Sequence, residues 1–350
     1  MWCRRPEMNM PEYTWPTVLN QLIERVDLSE DATEWAMDQV MSGEATPAQI
    51  AGFAVALRAK GETAAEISGM ARAMLHHANR VDLDVRAVDI VGTGGDRKGS
   101  VNISTMTSLV VAASGTPVVK HGGRAASSKS GAADVLEALG ITIESTPDDV
   151  RRCVEELGIG FCFAPAFHPA LRHVGAPRRE LGIPTVFNML GPLTNPAQPT
   201  SGLIGCAYLD KAPVLAEVYA RRGHNVLLVR GDDGLDEITT TTTSTAWIIS
   251  GGDIRTETID PTALGIERSE PDALRGGDAA ANAKVFKDLV NGKHGPVRDA
   301  VLINAAGALA AYTGFSDDLT ADLRAGLETA ARAIDSGAAA DLLDRWINKR

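Results

Sequence analysis

A chain of 350 residues, 44% apolar and 23% charged, has the material for one or two well-filled domains. Its net charge of −11 excludes a general nucleic-acid or membrane-surface binder, though not a small anionic ligand met by locally concentrated basic charge. Cys3, Cys153, Cys162 and Cys206 include no CxxC pair, so zinc and dithiol chemistry are unsupported, and free thiols with no apolar leader over Met1–Trp15 fit a cytoplasmic protein.

In chain order, the first part reads as all-helical. Thr14–Arg25 carries an apolar stripe, and Ser29 caps a second helix that ends near Gly43. Thr46-Pro47-Ala48-Gln49 and Thr63-Ala64-Ala65-Glu66 are capping boxes that open two more helices, the latter reaching about His77. Residues 10–82 are therefore expected to form a small helical domain whose apolar faces suit a homodimer contact. From 83 to 350 the texture is α/β. Short apolar runs at Ala87–Val91, Pro117–Val119, Ile159–Phe163, Gly202–Ala207, Asn225–Val229 and Ala246–Ser250 alternate with helical patterns. That alternation predicts a mostly parallel sheet covered on both faces. The proline-rich stretch 177–200 interrupts it and is expected to cross back to the helical domain as a hinge. Thr239–Thr243 reads as β-prone, Trp346 as a packing residue, and Ala300–Tyr312, broken by Asn304, as too short to span a bilayer.

Two predicted strands end in glycine-rich, hydroxyl-rich loops. The first is Gly92-Thr93-Gly94-Gly95-Asp96, leading through Ser100 and Asn102 into a helix from Ser104. The second is Lys120-His121-Gly122-Gly123-Arg124, leading through Ser127, Ser128 and Lys129 into another helix. Glycines let backbone N–H groups approach an anion, and a helix start favours negative charge. Between Gly92 and Gly131 stand five Lys or Arg (Arg97, Lys98, Lys120, Arg124, Lys129) against one Asp, an excess of four. One such loop would pass for a plain strand–helix turn; two in succession point to phosphate. Neither the dinucleotide fingerprint, which needs glycine where Arg97 stands, nor the Walker pattern is present. A third strand end carries Gly231-Asp232-Asp233-Gly234-Leu235-Asp236-Glu237. Carboxylates facing a phosphate cradle suit Mg²⁺, which prefers oxygen and bridges carboxylates to phosphates.

As an ordered set, GTGGD, Asn102-Ile103-Ser104-Thr105, Lys120-His121-Gly122 with Arg124, Ser127-Ser128, Arg178, GPLTNP and Asp236-Glu237 resemble the anthranilate phosphoribosyltransferases, of the class III phosphoribosyltransferase family. The resemblance runs from about residue 10 to the C-terminus. It implies transfer of the phosphoribosyl group of phosphoribosyl pyrophosphate to anthranilate, with release of pyrophosphate, in tryptophan biosynthesis. It implies that Gly92, Gly95, Asp96, Ser100, Asn102, Ile103, Ser104, Thr105, Lys120, Ser127, Ser128 and Ala132 line the phosphoribosyl pyrophosphate site. Ser104 with Glu237 would hold one Mg²⁺, and Asp236 with Glu237 a second. Gly92, His121, Gly123 and Arg178 would lie along the anthranilate path, and Lys120 and Arg178 would serve the reaction. A guanidinium at Arg178 matches a carboxylate in bidentate fashion. Gly123 departs from the family pattern, which has Asn there, so one contact to the acceptor is missing. A pyrimidine-nucleoside phosphorylase on a related fold, a paralogue acting on another aromatic amine, and one that only binds the nucleotide remain alternatives.

Overall fold

The computed structural model describes residues 13–125 and 129–349. Four helices come first: α1 (Trp15–Ile23), α2 (Glu30–Met41), α3 (Pro47–Lys60) and α4 (Ala64–His76). Each starts where a hydroxyl can take an orphan N–H. The Ser29 hydroxyl accepts from Ala32 N, and both predicted capping boxes are reciprocated. Glu66 does more than close its box. It accepts the Leu28 N–H and pairs with the Lys60 ammonium at 3.0 Å, with both side chains almost wholly buried, which ties α3 to the start of α4.

The remainder runs β1 (Val88–Gly92), α5 (Ile103–Ala113), β2 (Val118–Gly122), α6 (Ala132–Leu139), α7 (Pro147–Leu157), β3 (Ile159–Phe163), α8 (Ala164–Phe167), α9 (Arg172–Leu181), α10 (Phe187–Leu190), β4 (Ser201–Gly205), α11 (Ala212–Arg221), β5 (Asn225–Gly231), β6 (Ser244–Ser250), β7 (Asp253–Ile259), α12 (Ala279–Val290), α13 (Pro296–Thr313), α14 (Leu319–Asp335) and α15 (Ala338–Ile347). The strand order is β3-β2-β1-β4-β5-β6-β7, with the first five mutually parallel and β6 and then β7 added by antiparallel pairing. β7 was not expected from the sequence: its residues alternate polar and charged on an edge and lack the apolar run of the central strands. The chain leaves β1 toward β2 and β3, then returns to β1's other side as β4. The switch point is therefore the β1–β4 boundary, where such sheets open a crevice at their carboxyl ends.

The alternation along each strand divides the core. Val88, Ile90, Leu203 and Leu227 face α5, α6 and α12 to α15, with Trp346 packed among them as predicted. Ile204, Val226, Leu228 and Trp247 face α11 and the amino-terminal helices. Val174 of α9, and Phe187, Met189 and Leu190 of the proline-rich stretch, belong to that second cluster. Among the described residues no helix is long and apolar enough to cross a membrane.

Candidate active site at the switch point

The crevice is shaped by two glycines facing each other across the switch point. Gly92 ends β1, Gly205 ends β4, and the two are paired in register. Asp236 fills the space that their side chains would take. A Cβ on Gly92 would fall 2.1 Å from Asp236 Oδ2, and one on Gly205 would fall 1.5 Å from the Asp236 carbonyl oxygen. Asp236 Oδ2 accepts the Gly94 N–H at 2.7 Å, so the acidic loop is locked onto the first glycine loop. Gly94, Gly95, Arg97 and Gly99 all adopt left-handed φ. At Gly95 a second constraint applies: a Cβ there would sit 2.4 Å from the Tyr208 hydroxyl.

Asp96, Asp236 and Glu237 can place one carboxylate oxygen each within 4.8 Å of one another. Burial, then Asp96, pushes the Asp236 carboxyl up to about 6. Burial, then Asp236, raises Glu237 well above the usual range. Glu237 Oε2 is buried without a hydrogen-bond partner among the described residues. An all-oxygen donor set with an orphaned buried oxygen suits a hard divalent cation, and three carboxylates this close favour one electrostatically. Ser104 borders the same small cavity as Asp236 and Glu237.

Lys120 lies beneath this cluster. It is 2% exposed, and its ammonium donates to Ile90 O and, at 3.2 Å, to Ser104 Oγ. β1 and β2 pair only at Val88↔Val118, and side chains close the gap beyond. Lys120 takes the Ile90 carbonyl, Asp89 accepts the His121 N–H, and Asn195 Nδ2 donates to Val119 O at 2.9 Å. Burial lowers the Lys120 pKa to about 8 against the pull of Asp89, Glu237 and Asp236.

The two glycine loops are joined through Asn102, which precedes α5. It makes no cap to its own helix; Nδ2 donates to Ser130 O and Oδ1 accepts from Asn282 Nδ2. The first turn of α5, with Ile103, Ser104 and Thr105, is thus free of a side-chain cap. Ile103 itself is core and Thr105 is buried. Ala132 begins α6 with its methyl beside Gly122. Ser100 is bridged to Arg275 and borders a cavity with Lys98 and Asp233. Ser127 and Ser128 lie outside the described residues.

On the other side of the crevice, Arg178 is half-buried with its guanidinium 5.9 Å from the Phe187 ring. Burial lowers its pKa while Tyr208 pulls the other way. No carboxylate lies within ion-pair distance of it among the described residues. His121 donates from Nδ1 to Gly191 O at 3.1 Å, leaving Nε2 as a buried acceptor with no partner. Burial and His168 lower its pKa to about 3, so the ring is neutral. Gly123 is not in the left-handed region, and among the described residues a Cβ there would meet only Ala164, at 3.9 Å.

Three expectations from the sequence are corrected. Arg124 is no free phosphate ligand: it pairs with Asp134 and Glu137 on α6. Asp232 and Asp233 are not members of the carboxylate cluster; threonine hydroxyls claim them. Thr239 and Thr241 donate to Asp233 at 2.9 and 2.5 Å, and Thr243 and Thr245 to Asp232. Thr239–Thr243 is accordingly an irregular scaffold for the acidic loop and not a strand. Tyr208, Asn195, Asn282 and Asn304 were not expected as residues that shape the site, although Asn195 lies in GPLTNP and Asn304 interrupts an apolar run. Asn304 bonds both backbone groups of Ile238 and so fixes the residue after Glu237; its position inside an apolar helix was the available signal.

This architecture is that of a two-domain glycosyl transferase. The family model for its helical bundle domain matches residues 16–78, and that for its a/b domain matches 84–340. Curated relatives include the anthranilate phosphoribosyltransferases of Saccharopolyspora erythraea, 65% identical over 96% of both chains, and of Rhodococcus jostii, 62% identical over 96% of this chain and 93% of that one. The chain belongs to the anthranilate phosphoribosyltransferase family. Among solved structures, the Thermus thermophilus enzyme superposes with a TM-score of 0.88 at 40% identity, covering 94% of this chain and 98% of that one. The Saccharomyces cerevisiae enzyme in complex with PRPP and Mg gives 0.87 at 29% identity, covering 96% and 97%.

Proposed function

We propose that this protein transfers the phosphoribosyl group of phosphoribosyl pyrophosphate to the amine of anthranilate, releasing pyrophosphate, as its family does in tryptophan biosynthesis. The carrying observation is the Asp96–Asp236–Glu237 cluster held between two glycine loops at the switch point. In this reading the uncapped start of α5, Gly95, Ser100, Asn102, Ser127, Ser128 and the α6 start near Ala132 bind the phosphates and ribose. Magnesium is held by Glu237 with Ser104 and by Asp236 with Glu237, as two ions, and Asp96 is a neighbouring ligand. Bound there, the metal neutralises charge on the leaving pyrophosphate.

The residues of the chain do the rest. The C1–pyrophosphate bond breaks, a C1–N bond forms, and one amine proton is lost. Lys120, below the floor, stabilises negative charge above it and holds Ser104 in place. Arg178, a half-buried cation without a carboxylate, takes the anthranilate carboxylate. His121 Nε2 faces the acceptor as a neutral lone pair. An arylamine attacks without prior deprotonation, so positioning supplies much of the rate. The reading includes a helical domain over 10–82, a hinge through 177–200 and a homodimer. Ile23, Val26 and Val55, exposed on the helical part, support the dimer contact. It also places the enzyme in the cytoplasm.

Loss of anthranilate fluorescence on adding phosphoribosyl pyrophosphate and Mg²⁺ tests the reading. A chelator abolishes the loss; chelator-resistant phosphorolysis of a nucleoside would instead mark a phosphorylase.

Two further results are expected. Carboxyls whose folded pKa is raised favour the fold below that pKa, and the advantage is lost as pH rises through it. Asp236, at about 6, and Glu237, higher, therefore weaken the metal-free protein above pH 6, and Mg²⁺ restores it. At about a hundred times its Kd the ion adds about 2.7 kcal/mol, seen as a rise in Tm at pH 8 that vanishes at pH 5. An equal rise at both pH values would exclude these ligands. Gly123→Asn is expected to lower KM for anthranilate roughly 2- to 10-fold, one neutral hydrogen bond, without moving KM for phosphoribosyl pyrophosphate. Among the described residues, a Cβ at this position would come no nearer than 3.9 Å to a neighbour, Ala164. Steady-state kinetics on both substrates decides it; an unchanged anthranilate KM means the acceptor is held another way.

A further inference from the structure

The site described so far occupies the carboxyl ends of the strands. At their amino-terminal end, between the starts of β4 and β5 and the helices α2 and α4, lies a separate cavity of about 590 Å³. Small-molecule sites typically measure about 300–1,000 Å³. Four arginines line it: Arg72, Arg80, Arg221 and Arg222. Two are already neutralised, Arg72 by Glu30, Asp31 and Glu34, and Arg221 by Glu217. Arg80 and Arg222 have no carboxylate within ion-pair distance among the described residues. Arg222 donates to Leu193 O at 2.9 Å, and Arg80 to Leu75 O at 3.4 Å, and each keeps donors to spare. Burial pulls the Arg222 pKa down against the opposing pull of Tyr219 and Glu30. His224 lines the same space with Nδ1 buried and unpartnered; burial, then Arg222, lowers its pKa to about 4.

A poorly solvated guanidinium with no ion-pair partner is costly, and so is an orphaned imidazole nitrogen. An anion in the adjoining cavity answers both. Asp89 and Glu30 also contribute to the lining. The Asp89 carboxylate is already held by the His121 N–H and by Asn195, which leaves Arg222, Arg80 and His224 to receive a ligand. We propose that this cavity is a second ligand site, which binds a small phosphate or carboxylate anion through Arg222 and Arg80 beside His224. The site is independent of what is transferred at the other end of the sheet.

The test uses the full chain with isotope-labelled histidine, the His224 ring signal being assigned by its loss in His224→Gln. Titration with inorganic phosphate, and separately with acetate, is expected to move that signal saturably and to raise its titration midpoint. The tighter of the two probes identifies the anion class. Arg222→Gln is expected to weaken binding roughly 10-fold or more, one charge-assisted contact. Arg80→Gln, at an exposed residue with no ion pair, gives a second reading if the first variant folds poorly. Substitutions at Asp236 and Glu237 leave the response unchanged. No saturable shift with either probe overturns the proposal. So does a response that survives both arginine substitutions, or one that follows the catalytic carboxylates.

Discussion

Replacing Asp236 by Asn and Glu237 by Gln is expected to cut turnover roughly 100-fold or more while the protein stays folded. The amides are isosteric, and Asn at 236 can still accept the Gly94 N–H. What they remove is the negative charge that holds the cation against the leaving pyrophosphate. A loss of about 3 kcal/mol in transition-state stabilisation corresponds to about two decades in rate. The metal-free double variant is expected to melt higher than the parent at pH 8. Both carboxyls have raised pKa values, so their ionisation costs stability at that pH, and neutral amides carry no such cost. The gap closes as pH falls below about 6, where the Asp236 carboxyl is protonated in the parent. Calorimetric melts across pH and a Mg²⁺ titration of rate check both halves. A double variant with the parent's magnesium dependence would reduce the acidic loop to a solvated turn.

Gly92→Ala is expected to have a comparable effect on rate through sterics. Its methyl falls 2.1 Å from Asp236 Oδ2, the far end of a side chain that can swing away. The fold therefore survives, with a loss in the range of about 1–3 kcal/mol typical of overpacking. The carboxylate, once displaced, leaves both the metal cluster and the Gly94 N–H. Turnover should fall about 100-fold and the magnesium requirement rise. Gly205→Ala is the harsher neighbour, since its methyl meets the Asp236 backbone carbonyl at 1.5 Å and the chain itself must move. Gly123→Ala is the mild control, with nothing nearer than 3.9 Å. Melting temperature and kcat/KM measured on the three variants separate the cases. Near-parental kinetics for Gly92→Ala would show that Asp236 need not occupy that position.

Much of this was legible in the chain because it is local. Caps are hydroxyls placed at fixed offsets from an apolar stripe, and Ser29, Thr46 and Thr63 perform as their spacing predicts. The glycine loops and Asp236-Glu237 were visible as strand ends rich in special residues. What escaped is long-range or depends on partner choice. Nothing near Gly92 in sequence announces that Gly205 will stand beside it and that Asp236 will fill both gaps. Arg124 and Lys98 look alike as basic residues beside a glycine loop. Only the fold brings Asp134 and Glu137 to Arg124. The threonine run was misread because β-propensity reports a pleated surface, whereas these hydroxyls are used as donors to Asp232 and Asp233.

The most direct measurement is of stoichiometry. The purified protein, given phosphoribosyl pyrophosphate, anthranilate and Mg²⁺, is assayed for pyrophosphate released and for anthranilate consumed, with the product identified by mass. Phosphoribosyl transfer at the Asp96–Asp236–Glu237 crevice predicts one pyrophosphate per anthranilate, a product of the mass of N-(5-phosphoribosyl)anthranilate, and loss of both signals together in the Asp236→Asn, Glu237→Gln variant. Binding of phosphoribosyl pyrophosphate with no pyrophosphate released, or pyrophosphate released with anthranilate untouched, would contradict it.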